Sequence, residues 1–326
     1  MTHLEEQIRS QPAALEVMIT SRTVRQRVHA AAEGLHRARR IWVVGTGTSY
    51  HAAELGAMMI REAGRSAQAY SSQQFVHNAP NVASQDALIV ITHTAETAYA
   101  LAVRSLGFQA GLDIVTITRS GGPFPDAVET VAKETSETYT VSYTAALVAL
   151  AMLARELGAD SASDEAIGRV PAAVTEALAS PGIAAVPTPE RLLAIAGVGP
   201  AAWSAAEGAL KVREASRFLA EGYDAEYLLH GSAVPLTGSD RLLLLAPPDS
   251  DGFVQALGGA ATEAGVPVST IEETADLPPL LAQIPLAARL QLLALRISIE
   301  RGQDPDKVIV GPWDDPGLWS LGSPTA

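Results

Sequence analysis

The sequence predicts an α/β protein of two domains, each a parallel β-sheet with helices on both faces. Short apolar segments alternate with helical segments, which is typical of parallel sheets that are covered on both sides. The pattern runs through the first half of the chain and restarts near residue 190. The length of 326 residues also corresponds to two domains at about 150 residues each.

In the first half, residues 1–40 read as helical, and apolar runs predict the strands. These predicted strands are Ile41–Val44, Asp86–Thr92, Asp113–Thr118 and Thr138–Val141. Helices are predicted from the Gly45–Ser49 turn to Gly64, over Thr97–Ala110 and over Tyr143–Leu157.

In the second half, Leu192–Ala196, Arg241–Ala246 and Val266–Ile271 are the predicted strands. Residues 201–220 predict a helix, and Pro285–Arg301 predicts an amphipathic helix. The resulting segments are an N-terminal helical segment at 1–30, a first sheet domain at 31–160, a linker helix at 161–188, a second sheet domain at 189–310 and a tail at 311–326.

The restart is an internal repeat that a shift of 152 residues reveals. Gly45 then meets Gly197, Glu62 meets Glu214, and eight of twenty positions are identical without a gap. One strand–turn–helix unit is therefore present twice. Ligands of such sheets bind outside the carboxyl ends of the strands.

Composition narrows the class of protein. The formal charge of 23 − 36 = −13 is unsuited to a general nucleic-acid binder, so an anionic substrate needs a local positive pocket. The sequence contains no cysteine, which excludes disulfides, zinc–thiolate sites and thiol nucleophiles. It shows neither an apolar signal peptide nor a run of about 18 apolar residues. We therefore expect a cytoplasmic protein without a membrane or nucleic-acid partner.

Two turns could bind a ligand. Thr92-His93-Thr94-Ala95-Glu96-Thr97 joins a strand to a helix, where hydroxyls and free N–H groups favour an anion; helix capping by Thr92 or Thr94 is the alternative. Gly45–Ser49 carries Gly-x-Gly at a similar junction, but Tyr50 stands where a dinucleotide fingerprint needs its third glycine. Thr48 and Ser49 could contact sugar hydroxyls there, or the segment is only a tight turn.

Two further segments carry groups that can move protons. Glu207, Lys211 and Glu214 share one face of the helix 201–220, either as a solvated ion pair or as a proton-transfer group on a pocket wall. The segment 221–231 is acidic and aromatic and ends in His230-Gly231, and a histidine there can titrate near neutral pH.

Together these segments resemble the tandem sugar isomerase (SIS) family, which includes the isomerase half of glucosamine-6-phosphate synthase and stand-alone aminosugar-phosphate deaminases and deglycases. The resemblance covers roughly residues 30–307. Its marks are Gly47-Thr48-Ser49-Tyr50, the loop 92–97, Thr140-Val141-Ser142, Glu207–Glu214, Glu221 and His230-Gly231.

The resemblance implies the role of each residue. Thr92, Thr94 and Thr97 would bind a sugar phosphate, with His93 at the position of a family glutamine. Thr48, Ser49 and Ser142 would contact the phosphate or the sugar. Glu214 would be the base between C1 and C2, supported by Lys211 and Glu207. His230 would open the ring in a partner subunit, which implies a homodimer.

The sequence also departs from the family pattern. Ala95 replaces a loop glycine, which is expected to affect the backbone path around the phosphate. Tyr143 and Thr144 stand where the family has Thr-Lys, and Ser232 stands where it has proline. Lys307 is the one nearby candidate for an imine-forming lysine, in a segment that looks shortened.

The sequence therefore predicts a sugar-phosphate isomerase or an aminosugar-phosphate deaminase or deglycase, with no cofactor, no metal and no glutaminase domain. The predicted partner is a phosphorylated sugar or amino sugar. The alternative is a non-catalytic sensor of sugar phosphates.

Overall fold

The computed structural model describes residues 1–78, 81–248, 252–315 and 317 of the chain. These divide into two compact units, which are described separately. The first-sheet unit comprises residues 13–134, 141–169 and 309–326, and the second-sheet unit comprises residues 1–12, 135–140 and 170–308. Two helices contribute to both units, α1 (His3–Thr20) and α7 (Asp164–Ala179).

The first-sheet unit contains a parallel sheet in the order β2-β1-β3-β4-β5. Its strands are β1 (Ile41–Gly45), β2 (Ala67–Ser71), β3 (Ala87–Ile91), β4 (Asp113–Thr118) and β5 (Val128–Glu129). Its helices are α2 (Arg22–Arg37), α3 (Thr48–Glu62), α4 (Ser72–Asn78), α5 (Ala98–Gln109) and α6 (Val141–Glu156). One face of the sheet packs Trp42, Val44, Leu88 and Val90 against α4 and α5.

The second-sheet unit contains a parallel sheet in the order β7-β6-β8-β9. Its strands are β6 (Leu193–Gly197), β7 (Ala220–Asp224), β8 (Arg241–Ala246) and β9 (Val268–Glu272). Its helices are α8 (Pro200–Ser216), the short α9 (Ala225–Tyr227), α10 (Phe253–Glu263) and α11 (Pro279–Glu300). Leu193 and Ile195 face α8 and α11, whereas Ala194 and Ala196 face α10, so helices cover both faces.

The two sheets repeat the same strand–turn–helix geometry. Gly47 and Gly199 precede α3 and α8 with φ/ψ of 56°/−126° and 58°/−125°. A Cβ on Gly45 would lie 2.3 Å from the Ser49 carbonyl oxygen, and one on Gly197 would lie 2.3 Å from that of Ala201. Glycine is needed at the end of both strands, because only its missing side chain lets the following helix approach so closely.

A buried carboxylate is repeated as well. Asp86 precedes β3 and accepts a hydrogen bond from Arg39 Nε at 3.1 Å, while Asp240 precedes β8 and accepts one from Arg191 Nε at 2.8 Å. Both carboxylate side chains are 0% exposed. Burial raises the pKa of Asp86, but hydrogen bonds from Arg39, Ala83, Trp42 and Arg40 outweigh it and lower the pKa overall. The correspondence between Asp86 and Asp240 was not predicted from the sequence.

The predicted secondary structure was wrong at three points: a strand that does not form, edge strands that were missed, and the start of the last helix. The fourth strand expected at Thr138–Val141 does not form; the last strand of that sheet is β5, and α6 begins at Val141. The edge strands β2 and β7 were missed, because each is paired on one side only and carries polar residues along a half-buried surface. The last helix begins at Pro279 instead of Pro285.

That helix, α11, is also not amphipathic, since 17 of its 22 residues are buried. Among the described residues it is the one helix long and apolar enough to cross a membrane by length and composition alone. However, 89% of its most apolar 18-residue window is buried in the protein, as expected of a core helix. The predicted tail lies mostly outside the described residues. Asp249 and Asp251, two carboxylates that follow the predicted strand Arg241–Ala246 and are expected to repel a phosphate, also lie outside them.

Candidate functional site

The loop Thr92–Thr97 lies at the carboxyl end of β3 and leads into α5. Thr92 Oγ1 is buried and has no hydrogen-bond partner among the described residues. Thr97 is the N-cap residue of α5, but its side chain forms no capping bond, and Thr94 Oγ1 accepts from Glu96 N at 3.2 Å within the loop. The hydroxyls therefore do not cap α5, so this alternative was wrong, and the three hydroxyls remain candidates for ligand contacts.

Ala95 gives the loop its shape. Its φ of +59° lies in the left-handed region, which glycine adopts freely and which costs other residues about 1–2 kcal/mol. The loop therefore has a backbone conformation suited to glycine, although alanine occupies the position. Strain of this kind persists only where the surroundings enforce it, and it is common at ligand-binding loops.

His93 is held inside the loop as a neutral imidazole. Burial, with the charges of Arg119 and Lys133, lowers the pKa of His93 to about 4. Its Nε2 accepts a hydrogen bond from Glu134 N at 3.2 Å, which places the ring proton on Nδ1. His93 therefore brings no positive charge to an anion at neutral pH.

A carboxylate of the chain itself occupies the N-terminus of α6. The Glu134 carboxylate accepts from Ser142 N at 2.8 Å and from Val141 N at 3.3 Å. It thereby satisfies free N–H groups at a helix N-terminus. The backbone N–H of Ser142 is thus occupied by Glu134, and a role for its hydroxyl on a sugar or phosphate stays a prediction.

Two cations beside the loop were missed from the sequence. Lys133 Nζ lies 2.8 Å from the Glu96 carboxylate, and Lys133 lowers the pKa of Glu96. Arg119 follows β4 directly and donates its backbone N–H to His93 O at 3.2 Å; its Nε is buried without a partner among the described residues. Adjacent parallel strands end at the same edge of a sheet. Arg119, which directly follows the predicted strand 113–118, could therefore have been expected beside the loop.

The turn at Gly45–Ser49 is a tight turn, as the glycine geometry above requires. Thr48 and Ser49 are the first residues of α3 and are half-buried. A contact between their hydroxyls and a ligand stays a prediction.

In the second-sheet unit, α8 brings Glu207, Lys211 and Glu214 together as the spacing predicts. Lys211 Nζ lies 2.5 Å from Glu214 and 3.5 Å from Glu207. The side chains of Lys211 and Glu207 are 1% and 2% exposed, whereas that of Glu214 is 19% exposed. The three residues therefore do not form a solvated surface pair, and Glu214 is the one whose side chain is partly exposed to solvent.

The electrostatics of this group single out Glu214. Burial raises the pKa of Glu214, and the charge of Glu207 raises it further, against the opposing effects of Lys211 and Arg213. A carboxylate whose pKa is moved toward neutrality, and which retains access to solvent, can both accept and return a proton.

His230 does not join that group. It lies in a turn after α9, its side chain is 73% exposed, and its nearest acidic atom is Glu226 Oε1 at 4.0 Å. Lys307 is exposed, and its carbonyl accepts a hydrogen bond from Arg217 at 3.0 Å. Roles for His230 in ring opening and for Lys307 in imine formation stay predictions.

The chain is similar in sequence and in fold to known proteins. Residues 34–155 match the family model described as the SIS domain. The chain is 28% identical over 316 residues to glutamine–fructose-6-phosphate aminotransferase (isomerizing) of Pyrococcus horikoshii, which covers 85% of this chain and 51% of the relative. The corresponding enzyme of Caulobacter vibrioides is 28% identical, over 82% of this chain and 50% of its own length. The chain thus spans about half the length of these curated relatives.

Solved structures show the same fold. Tagatose-6-phosphate ketose/aldose isomerase from Escherichia coli superposes with a TM-score of 0.80 at 19% identity, covering 96% of this chain and 97% of that one. Glucosamine-6-phosphate deaminase from Thermotoga maritima gives a TM-score of 0.76 at 17% identity, over 94% and 97% of the two chains. The match to the SIS family model covers the first sheet; a second SIS domain stays a prediction.

Proposed function

We propose that this chain, which matches the SIS family over residues 34–155, is a sugar-phosphate isomerase or aminosugar-phosphate deaminase. It would move a proton between C1 and C2 of an open-chain phosphosugar. The observation that carries the proposal is Glu214, a carboxylate that is buried beside Lys211, has a raised pKa and keeps one-fifth of its side chain exposed, 19%.

Glu214 would act as the base. Its carboxylate takes a proton from the carbon next to the carbonyl, which leaves an enediol or enolamine, and the same proton returns to the neighbouring carbon. Lys211 holds the carboxylate in place through the 2.5 Å contact and compensates its negative charge. Acid–base assistance of this kind contributes on the order of 10²–10⁴-fold in rate. With an amino sugar, addition of water to the intermediate and loss of ammonia would give deamination or, with a substituted amine, deglycation.

The loop Thr92–Thr97 would hold the phosphate. The buried Thr92 Oγ1, which has no hydrogen-bond partner in the part of the chain that the structure describes, and the strained Ala95 support this assignment. Positive charge would come from Arg119 and Lys133, because the lysine that the family has after its fourth strand is absent here. Lys133 now pairs with Glu96 at 2.8 Å, so phosphate binding would require it to exchange one anion for another.

His230 would assist ring opening from a second copy of the chain. Its side chain is 73% exposed, which leaves it accessible to a neighbouring subunit. We therefore propose a homodimer, and a cytoplasmic location in keeping with the cysteine-free sequence.

The experiment compares Glu214→Gln with Glu62→Gln, the repeat-matched glutamate of the first-sheet unit. Phosphorylated sugars and amino sugars are screened by thermal shift, and each ligand that stabilises the protein is followed by NMR for product. We expect Glu214→Gln to bind the substrate but lose at least about 100-fold in turnover, and Glu62→Gln to retain it. Full turnover in Glu214→Gln would refute the catalytic assignment, and binding of ligands without any turnover by the wild type would favour a sensor.

A further inference from the structure

A cleft in the first-sheet unit is formed by side chains that the proposed reaction does not use. Its open part has a volume of about 570 Å³ and is lined by Thr20, Arg22, Arg25, Gln26, His29 and Glu156. Its deeper part, about 90 Å³, adds the apolar side chains of Ile19, Val28, Met152 and Ile167. Both parts include Arg25 and Glu156, so one ligand can contact both.

The acidic side chains of the cleft are already compensated. Arg155 pairs with Asp164 at 2.6 Å and also with Glu156. His29 Nδ1 lies 2.8 Å from the same Glu156 carboxylate. Both carboxylates therefore have cationic neighbours that do not include Arg22 or Arg25.

Arg22 and Arg25 carry uncompensated charge. Neither forms an ion pair with any residue in the described part of the chain; Arg25 Nε donates to Ile19 O at 2.8 Å, which anchors the side chain at the cleft. The two arginines are three residues apart on α2, so they project from one side of the helix. On a chain with a formal charge of −13, such a pair is a local exception that attracts an anion.

We propose that this cleft binds a nucleoside phosphate, with the phosphate on Arg22 and Arg25 and the base against the apolar part. Guanidinium groups match phosphate oxygens with paired hydrogen bonds. The adjoining apolar lining suits a flat ring, in the usual combination of few polar anchors and an apolar wall. The site is separate from the loop Thr92–Thr97 and does not depend on the proposed reaction.

Isothermal titration with 5′-AMP and with inorganic phosphate tests the proposal. The proteins are the wild type, Arg22→Gln/Arg25→Gln, the control Arg27→Gln on the same helix outside the cleft, and Thr94→Val/Thr97→Val in the loop. We expect AMP to bind the wild type at least about tenfold more tightly than phosphate, and the double arginine variant to lose at least about tenfold in affinity for AMP. The control and the loop variant should stay within about twofold.

Three results would overturn the proposal. They are no binding of AMP to the wild type, equal affinity for AMP in the wild type and the double arginine variant, or loss of AMP binding in the loop variant alone. Since both arginines are exposed, the variants should fold normally, which circular dichroism and the melting temperature verify. The charge-reversed pair Arg22→Glu/Arg25→Glu should weaken AMP binding further than the neutral pair, and an equal or smaller loss would contradict an electrostatic site.

Discussion

Lys211→Met removes the cation that two carboxylates on α8 share. Lys211 Nζ lies 2.5 Å from Glu214 and 3.5 Å from Glu207, and its side chain is 1% exposed. Methionine keeps most of the volume and the helix preference of lysine, so packing changes little. Removing one partner from a buried ion pair costs about 3–5 kcal/mol, because the remaining charge stays buried without compensation.

The cost should depend on pH with a definite sign. The pKa of Glu214 in the folded protein is already above its ordinary value of 4.5, so between pH 4.5 and the folded pKa the folded state holds a proton that the unfolded state has lost. Stability therefore falls as the pH rises from 4.5 through the folded pKa, by at most about 1.4 kcal/mol per pH unit for each such group. Without Lys211 the folded pKa of Glu214 rises further and this window widens.

Urea unfolding of the wild type and Lys211→Met at pH 4.5 and pH 8 measures the effect. We expect the two proteins to differ little at pH 4.5 and by about 3–5 kcal/mol at pH 8. Lys307→Met is the matched control, since Lys307 is exposed, and it should change stability by less than about 0.5 kcal/mol. A difference at pH 8 below about 1 kcal/mol, or one that does not change with pH, would refute this account of the buried group.

Three more predictions concern the fold and the loop, each measured by urea unfolding. Ala95→Gly should stabilise the protein by about 0.5–1 kcal/mol, because glycine adopts the positive φ without strain; destabilisation would show that Ala95 is not strained. Asp86→Asn should lower the free energy of unfolding by about 3 kcal/mol at pH 7, and by less as the pH falls through the lowered pKa, since the wild type then loses the same charge. The exposed Asp113→Asn should lower it little, and equal losses for the two variants would contradict the prediction. Gly197→Ala should lower the free energy of unfolding by about 3 kcal/mol, because its Cβ would lie 2.3 Å from backbone atoms. Gly259→Ala in α10, which has open space around it, should be neutral or stabilising. Similar effects of the two substitutions would be inconsistent with the close approach at Gly197.

Local sequence patterns predicted most of the secondary structure. The central strands β1, β3, β6 and β8 are largely apolar, and a buried strand between two layers of helices needs that composition. β4 combines Ile114, Val115 and Ile117 with two threonines. The glycines at 45 and 197 could be found because a strand that meets its helix so closely excludes any side chain. The face shared by Glu207, Lys211 and Glu214 followed from helical spacing alone.

Edge elements and electrostatics could not be predicted in the same way. β2 and β7 carry polar residues because one side of each strand is unpaired, so no apolar run marks them. The Arg39–Asp86 pair joins residues 47 positions apart, and only the fold brings them together. Glu134 is another example, because its role as the cap of α6 depends on the path of the chain after β5.

The sequence by itself determined the alternation of strands and helices, the duplicated strand–turn–helix unit and the chemical types of the candidate site residues, since these depend on periodicity and on backbone freedom at glycine. The tertiary structure decided which of those residues are buried, which are paired and which way their pKa values move. Burial and charge act through space, so Glu214 becomes a raised-pKa carboxylate and His93 a neutral imidazole only after distant segments have packed around them.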